Sequence, residues 1–112
     1  MATDAAGDGA GADDELDVGL ELTDEQAVIR VVGDVDVSNS ERLHEVVAQA
    51  IHHGSSSLVF DLAGVEFMDS SAIAALLTGA AQVERTVVRN PSVAARRVIE
   101  ATGLTSVLPE EP

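Results

Sequence analysis

Asp69, Ser70 and Ser71 stand together where an apolar run gives way to a helical pattern. A carboxylate beside two hydroxyls suits two tasks: starting a helix, or presenting an oxygen for modification. Asp is a natural N-cap, because its side chain accepts a hydrogen bond from a first-turn N–H that has no intrahelical partner. With Asp69 in that role, Ser70 and Ser71 fall in the first turn. A phosphate on either would meet the positive end of the helix dipole and add roughly 1.5 to 2 negative charges at one surface point. Such a change abolishes docking without disturbing a fold. The triplet alone is better explained as a helix cap, since Asp and Ser are ordinary capping residues. It does not suit a self-contained serine enzyme, which needs a base within hydrogen-bond reach of its nucleophile. The segment before it offers none, and no His lies near it in the chain.

Other chemistry-bearing residues reduce to structural roles. His52-His53 closes a helical pattern, where an imidazolium complements the dipole, and His44 lies about two turns upstream. No further ligands stand at metal spacing, so neither metal nor cofactor is expected. With no Cys, disulfides, thiol catalysis and Cys-based zinc sites are excluded. Asp61 and Asp69 would need aromatic or basic groups nearby to work as a carboxylate pair on a sugar or phosphoryl substrate. Gly33 and Gly64 are lone turn glycines, and Arg96-Arg97 reads as a solvated helix face.

Composition narrows the partners. Twenty acids against six bases, all Arg, give a net charge of -14, which argues against nucleic acid or an anionic membrane. Two Phe with no Tyr or Trp leave no stacking platform, so the core must be built from Val, Leu, Ile and Ala. Nine of the acids lie within residues 1–25. Residues 1–15 are mostly Ala, Gly and Asp and are expected to form a disordered acidic tail. The first residues lack the apolar run of a secretory signal, and no stretch approaches the ~18 apolar residues of a membrane span. A soluble cytoplasmic protein is expected.

The elements that must position the triplet follow from periodicity. Leu16, Val18, Leu20 and Leu22 alternate with polar residues or Gly as one strand, and Ala27 to Val32 forms a second, ending at Gly33. Ser38-Asn39-Ser40-Glu41 reads as a capping box opening a helix over 39–52, with Leu43, Val46, Val47, Ala50 and Ile51 on one stripe and Gly54 as its stop. Leu58 to Leu62 reads as a central strand, 63–69 as a loop, and Ser70 onward as a helix. Val83 to Arg89 is a strand, Asn90-Pro91 a cap and first turn, and the last helix runs to Ala101 or Thr102 before Gly103. Leu104 to Leu108 returns to the core, and residues 109–112 are expected to fray. The order β-β-α-β-α-β-α predicts a single α/β domain over 16–108, a mixed, mostly parallel sheet flanked by helices with an antiparallel first strand.

The string from Leu58 to Ser71, with its strand ending in Asp61-Leu62, then Ala63-Gly64-Val65 and Asp69-Ser70-Ser71, resembles the signature of STAS domains. More narrowly, it is similar to the bacterial anti-sigma factor antagonists. Gly33-Asp34-Val35-Asp36 matches their Gly-acid-aliphatic-Asp turn, and Asn90 to Leu104 matches their last helix. The resemblance spans about Leu16 to Leu108 and implies a protein-interaction module, not an enzyme. It implies that Ser71 is the phosphoacceptor, with Ser70 as second choice. The donor would be an anti-sigma factor that is itself a serine kinase; it binds the unphosphorylated domain and loses it on phosphorylation, freeing or recapturing a sigma factor. A phosphatase restores the complex. Asp36, Ser38, Asn39, Asp69, Ser70, Ala72 and Ile73 are the expected partner-binding residues. The resemblance also covers STAS subunits that act as constitutive adaptors in lipid-transport or stress-sensing assemblies. Two departures stand out. Ala72 replaces the family's Gly, placing a methyl group where it would obstruct a kinase, and the segment from Asp69 to Asn90 is about two helical turns short.

Overall fold

The computed structural model describes residues 16–112; the acidic tail expected over 1–15 lies outside them. The chain enters through β1 (Leu16–Leu22) and reverses at Thr23, whose N–H donates to the Gln26 carbonyl at 2.9 Å. Strand β2 (Gln26–Val35) returns antiparallel, with Leu22 opposite Ala27 and Leu16 opposite Gly33. Then follow α1 (Ser40–His53), β3 (Ser57–Met68), α2 (Ser70–Ala80), β4 (Arg85–Arg89) and α3 (Val93–Ala101), the order predicted. The sheet order is β1-β2-β3-β4, with β2, β3 and β4 parallel and β1 antiparallel.

Side-chain alternation decides where the core sits. Ala27, Ile29 and Val31 on β2, Leu58, Phe60 and Leu62 on β3, and Val88 on β4 face one side. They join Leu43, Val47 and Ala50 of α1, Ala72, Ile73, Ala75 and Leu76 of α2, and Ala95 and Ile99 of α3 in one cluster. The opposite face carries a charged row set by register, with Arg30 opposite Asp61 and Asp61 opposite Arg89. Arg89 continues it through a bidentate pair with Glu111 at 2.8 and 3.1 Å.

The structure differs from the sequence reading in five places besides the start of β4, which lies at Arg85 and not Val83. Strand β2 runs on through Gly33 to Val35, and β3 continues to Met68 where a loop over 63–69 was expected. Two register shifts explain the second difference. Arg30 faces Asp61 but Val32 faces Gly64, and Gly33 faces Val65 but Asp34 faces Phe67, so β3 gains one residue at each step. These are β-bulges, which preserve pairing while redirecting side chains. Ala63-Gly64 looks like a turn in sequence, yet Gly64 is needed for close packing: a Cβ there would lie 2.9 Å from a Val32 methyl carbon. The third difference is the start of α1, where the capping box does not form, as described with the site below. The fourth is the start of α3. Its N-cap is Ser92, whose Oγ accepts the Ala95 N–H at 3.1 Å, while Asn90 turns the chain at φ 47. Asn is one of the few residues besides Gly that enter this left-handed conformation. Last, residues 109–111 are not frayed. Val88 N–H donates to the Pro109 carbonyl at 2.8 Å and Glu111 N–H to the Val88 carbonyl at 2.7 Å, and Arg96 pairs with Glu110. The outer edge of β4 thereby gains backbone partners that composition did not reveal.

Gly79 lets α2 approach both the sheet and α1 closely. A Cβ there would lie 2.8 Å from Leu58 Cδ1 and 3.0 Å from Val47 Cγ1, both on buried side chains. Gly79→Val should therefore overpack the core and cost about 1–3 kcal/mol. Urea titration should show a lowered midpoint with an unchanged slope.

Candidate functional site

Parallel pairing of β2 with β3 creates the site. Val35 lies opposite Met68, so the next residues, Asp36 and Asp69, leave the sheet side by side at its carboxyl edge. Each leads into a helix N-terminus, the usual place for function in an open α/β sheet.

Asp69 is the N-cap of α2, as the sequence indicated. Its Oδ1 accepts the Ser71 N–H at 2.9 Å and the Ser71 hydroxyl at 2.5 Å. The Ser71 hydroxyl bond is the main cause holding the Asp69 carboxyl below its ordinary value; partial burial opposes it, and the Ser71 and Ala72 backbone N–H groups assist it. A carboxylate so stabilised is a poor base. What it does is orient. The Ser71 proton points at Asp69, which turns the oxygen lone pairs of this half-exposed residue away from the cap. Ser70 is exposed one position earlier on the same turn.

Asp36 makes a parallel arrangement. Its Oδ1 accepts the Ser38 N–H at 2.9 Å and the Ser38 hydroxyl at 2.5 Å. Asn39 is the N-cap of α1 by position, but its side chain braces the loop: Oδ1 accepts the Asp36 N–H and Nδ2 donates to the Asp34 carbonyl, both at 2.9 Å. The expected capping box between Ser38 and Glu41 does not form: Asn39, not Ser38, stands at the cap position, and the Ser38 hydroxyl donates to Asp36. Asp36, Ser38, Asn39, Asp69, Ser70 and Ser71 thus share one edge.

Ala72 and Ile73 do not belong to that surface. They are 0% and 5% exposed and sit in the core, because the third and fourth residues of α2 turn toward the sheet. The methyl of Ala72 consequently faces inward, not toward an approaching kinase. Two exposed apolar residues escaped the sequence reading. Val37 is 82% exposed between Asp36 and Ser38, and Phe67, 50% exposed, is turned outward just beyond the second bulge. Phe67 was hidden by reading 63–69 as a loop; its only signal was an aromatic residue in a chain that has two. Among the described residues, no group of His, Asp and Glu could hold a metal ion, and no helix is long and apolar enough to cross a membrane.

A family model described as Mlab, STAS domain matches residues 18–109. The chain belongs to the STAS-domain family. The anti-sigma F factor antagonist of Lysinibacillus sphaericus is 33% identical over 88 residues, covering 74% of this chain and 75% of that protein. An anti-sigma factor antagonist from Mycobacterium paratuberculosis superposes with TM-score 0.80 at 26% identity, covering 92% of this chain and 91% of that one. The anti-sigma factor antagonist SpoIIAA is similar in two states. Its unphosphorylated form gives TM-score 0.74 at 27% identity, over 86% of this chain and 89% of that one. Its phosphorylated form, described as a Bacillus cell fate determinant, gives 0.67 at 28%, over 86% and 92%. The β-β-α-β-α-β-α order of this STAS domain is that of the SpoIIAA-like fold.

The Asp69 cap has a measurable weight. Asp69→Ala should cost this STAS domain about 1 kcal/mol near neutral pH. The Asp69 pKa is lowered on folding from about 3.8, so its charge-dependent contribution is complete above that value and is lost as pH falls through the lower folded value. The gap between wild type and variant in urea titrations should therefore narrow in strongly acidic buffer.

Proposed function

We propose that this chain is an anti-sigma factor antagonist of the SpoIIAA type, a binding protein and not an enzyme. Unphosphorylated, it binds an anti-sigma factor that is a serine kinase, and so regulates sigma-factor-dependent transcription. Phosphoryl transfer to Ser71 releases it, and a phosphatase returns it to the binding form. The observation that carries this reading is the Ser71 hydroxyl, fixed by Asp69 at an accessible sheet edge in a chain whose relative SpoIIAA exists in both phosphorylation states. The kinase supplies ATP and the catalytic base, so the site needs only to present an oriented oxygen. The new dianion would sit beside Asp69, itself held ionised, at the centre of the docking edge.

Asp36, Ser38, Asn39, Asp69 and Ser70 supply polar contacts in this reading, and Val37 and Phe67 supply the apolar anchors. Aromatic side chains that pass from half-exposed to buried on association carry much of an interface's energy. A second reading is a constitutive STAS adaptor subunit in a lipid-transport or stress-sensing assembly. There Ser71 would be only a cap residue, and its phosphorylation would be irrelevant.

The two readings separate on the captured partner and on charge at position 71. A pull-down with the full chain should retrieve an ATP-binding kinase. With that kinase and ATP, the wild type should gain one phosphate mass at Ser71, and Ser71→Ala should bind but gain none there. Ser71→Asp should bind at least about tenfold more weakly, a loss of about 1.4 kcal/mol by calorimetry. If Ser71→Asp binds as tightly as the wild type, the switch is wrong and the adaptor reading stands. Phe67→Ala should weaken the complex by a similar factor while leaving the circular dichroism spectrum unchanged.

A further inference from the structure

The loop after β2 repeats the geometry of the loop after β3. Asp36 is the first residue beyond β2, and Asp69 is the first beyond β3. In both loops Oδ1 accepts the N–H of the serine two residues on at 2.9 Å and its hydroxyl at 2.5 Å. The strands are parallel neighbours with Val35 opposite Met68, about 4.8 Å apart across the ladder, and the two acids leave the sheet from these paired residues. Asp36-Val37-Ser38 and Asp69-Ser70-Ser71 therefore present two serine hydroxyls, each bonded to the aspartate two residues before it, along one edge. Ser38 is the more accessible, exposed where Ser71 is half-exposed.

The two serines differ in what the fold asks of them. Ser71 N–H donates to the side chain that caps α2. Asn39, not Ser38, holds the cap position of α1 and braces the loop back to Asp34. The Ser38 hydroxyl serves no helix end; its bond to Asp36 only sets its direction.

We propose that Ser38 is a second phosphoacceptor, modified by a nucleoside-triphosphate-dependent protein kinase docked on the edge that presents Ser71. This rests on the switch reading above. In the transfer, a Ser38 Oγ lone pair attacks the γ-phosphorus held by the kinase. The new O–P bond forms as the bond from that phosphorus to the β,γ-bridging oxygen breaks. The hydroxyl proton passes to the kinase's base, and the nucleoside diphosphate leaves. A kinase that recognises the shape of one Asp-held serine meets the same shape one strand away. With two acceptors the edge takes three charge levels, each phosphate adding roughly 1.5 to 2 negative charges, so release becomes graded.

The test uses the full chain, produced in its own cells as wild type, Ser38→Ala, Ser71→Ala and the double variant. Intact masses are measured and the phosphosites mapped by peptide fragmentation, with circular dichroism to check each fold. The wild type or Ser71→Ala should carry phosphate at Ser38, Ser38→Ala should carry it at Ser71 only, and the double variant should carry none. Ser71 modified in the wild type, with Ser38 bare in both the wild type and Ser71→Ala, overturns the second site and leaves the switch reading intact. Phosphate on none of the four proteins defeats the switch reading and this inference together. Phosphate that persists on the double variant, with Ser38 unmodified in every protein, also overturns the second site. Substituting Ser38→Asp offers an independent check, because a second acceptor on the docking edge should weaken partner binding severalfold when charged. Unchanged binding of Ser38→Asp, where Ser71→Asp binds poorly, counts against Ser38 as a regulatory site.

Discussion

The register between β2 and β3 is the constraint on which the rest depends. These two strands supply the centre of the core through Ala27, Ile29, Val31, Leu58, Phe60 and Leu62. Their parallel sense requires a crossover, and α1 provides it. A parallel pair joined by a helix places both carboxyl ends, and both following helix N-termini, on one edge. A slip of one residue would turn the buried set of a strand to solvent and separate Asp36 from Asp69. Core and site are thus fixed by the same pairing, and the two bulges in β3 reconcile them. They let the buried alternation run from Leu58 to Leu62 and still bring Met68 level with Val35.

Periodicity made most of the fold legible. The strand pattern of β1, the apolar stripe of α1 and the run at Leu58 each pointed to the element that forms, and the order of elements followed. What escaped depends on tertiary contact. Ala63-Gly64 carries the composition of a turn, and only the approach of Val32 shows why glycine is required inside a strand. Ser38-Asn39-Ser40-Glu41 has the spacing of a capping box, but α1 starts one residue later than that box requires, so Asn39 takes the cap position and the Ser38 hydroxyl bonds Asp36. Pro109 to Glu111 looks like a loose polar end, and the partner that orders it, Val88, lies some twenty residues upstream. At the site, the cap role of Asp69 was legible because capping is local. The inward turn of Ala72 and Ile73 follows from helix phase once the cap is fixed, a step that treating every residue beside Ser71 as surface overlooked.

The Asp69–Ser71 contact separates two roles that a serine at a helix start might confuse. The backbone bond, from Ser71 N–H to Asp69, holds the helix. The side-chain bond, from the hydroxyl to the same oxygen, only orients the nucleophilic oxygen. Esterifying that oxygen removes the second bond and leaves the first available, so α2 keeps its cap. In the proposed switch the modification would act through charge at this half-exposed turn, without refolding, because Ala72 and Ile73, the next two residues of α2, anchor the helix in the core.

A chain with net charge -14 might be thought indifferent to two more negative charges. Screening decides otherwise. At physiological ionic strength charges are felt over about 8 Å, so a docked partner senses the edge it touches and little of the total. At that edge Asp36 and Asp69 leave the sheet on adjacent strands, with exposed Glu66 just before Phe67. A phosphate on Ser71 adds nearly as much charge as those two aspartates together. In the proposed complex it does so on an edge that also carries exposed Val37 and Phe67, and an apolar contact cannot close over an unpaired dianion without the large cost of stripping its water. The strength of the proposed switch would therefore come from placing a removable charge beside exposed apolar residues, not from the acidity of the whole protein.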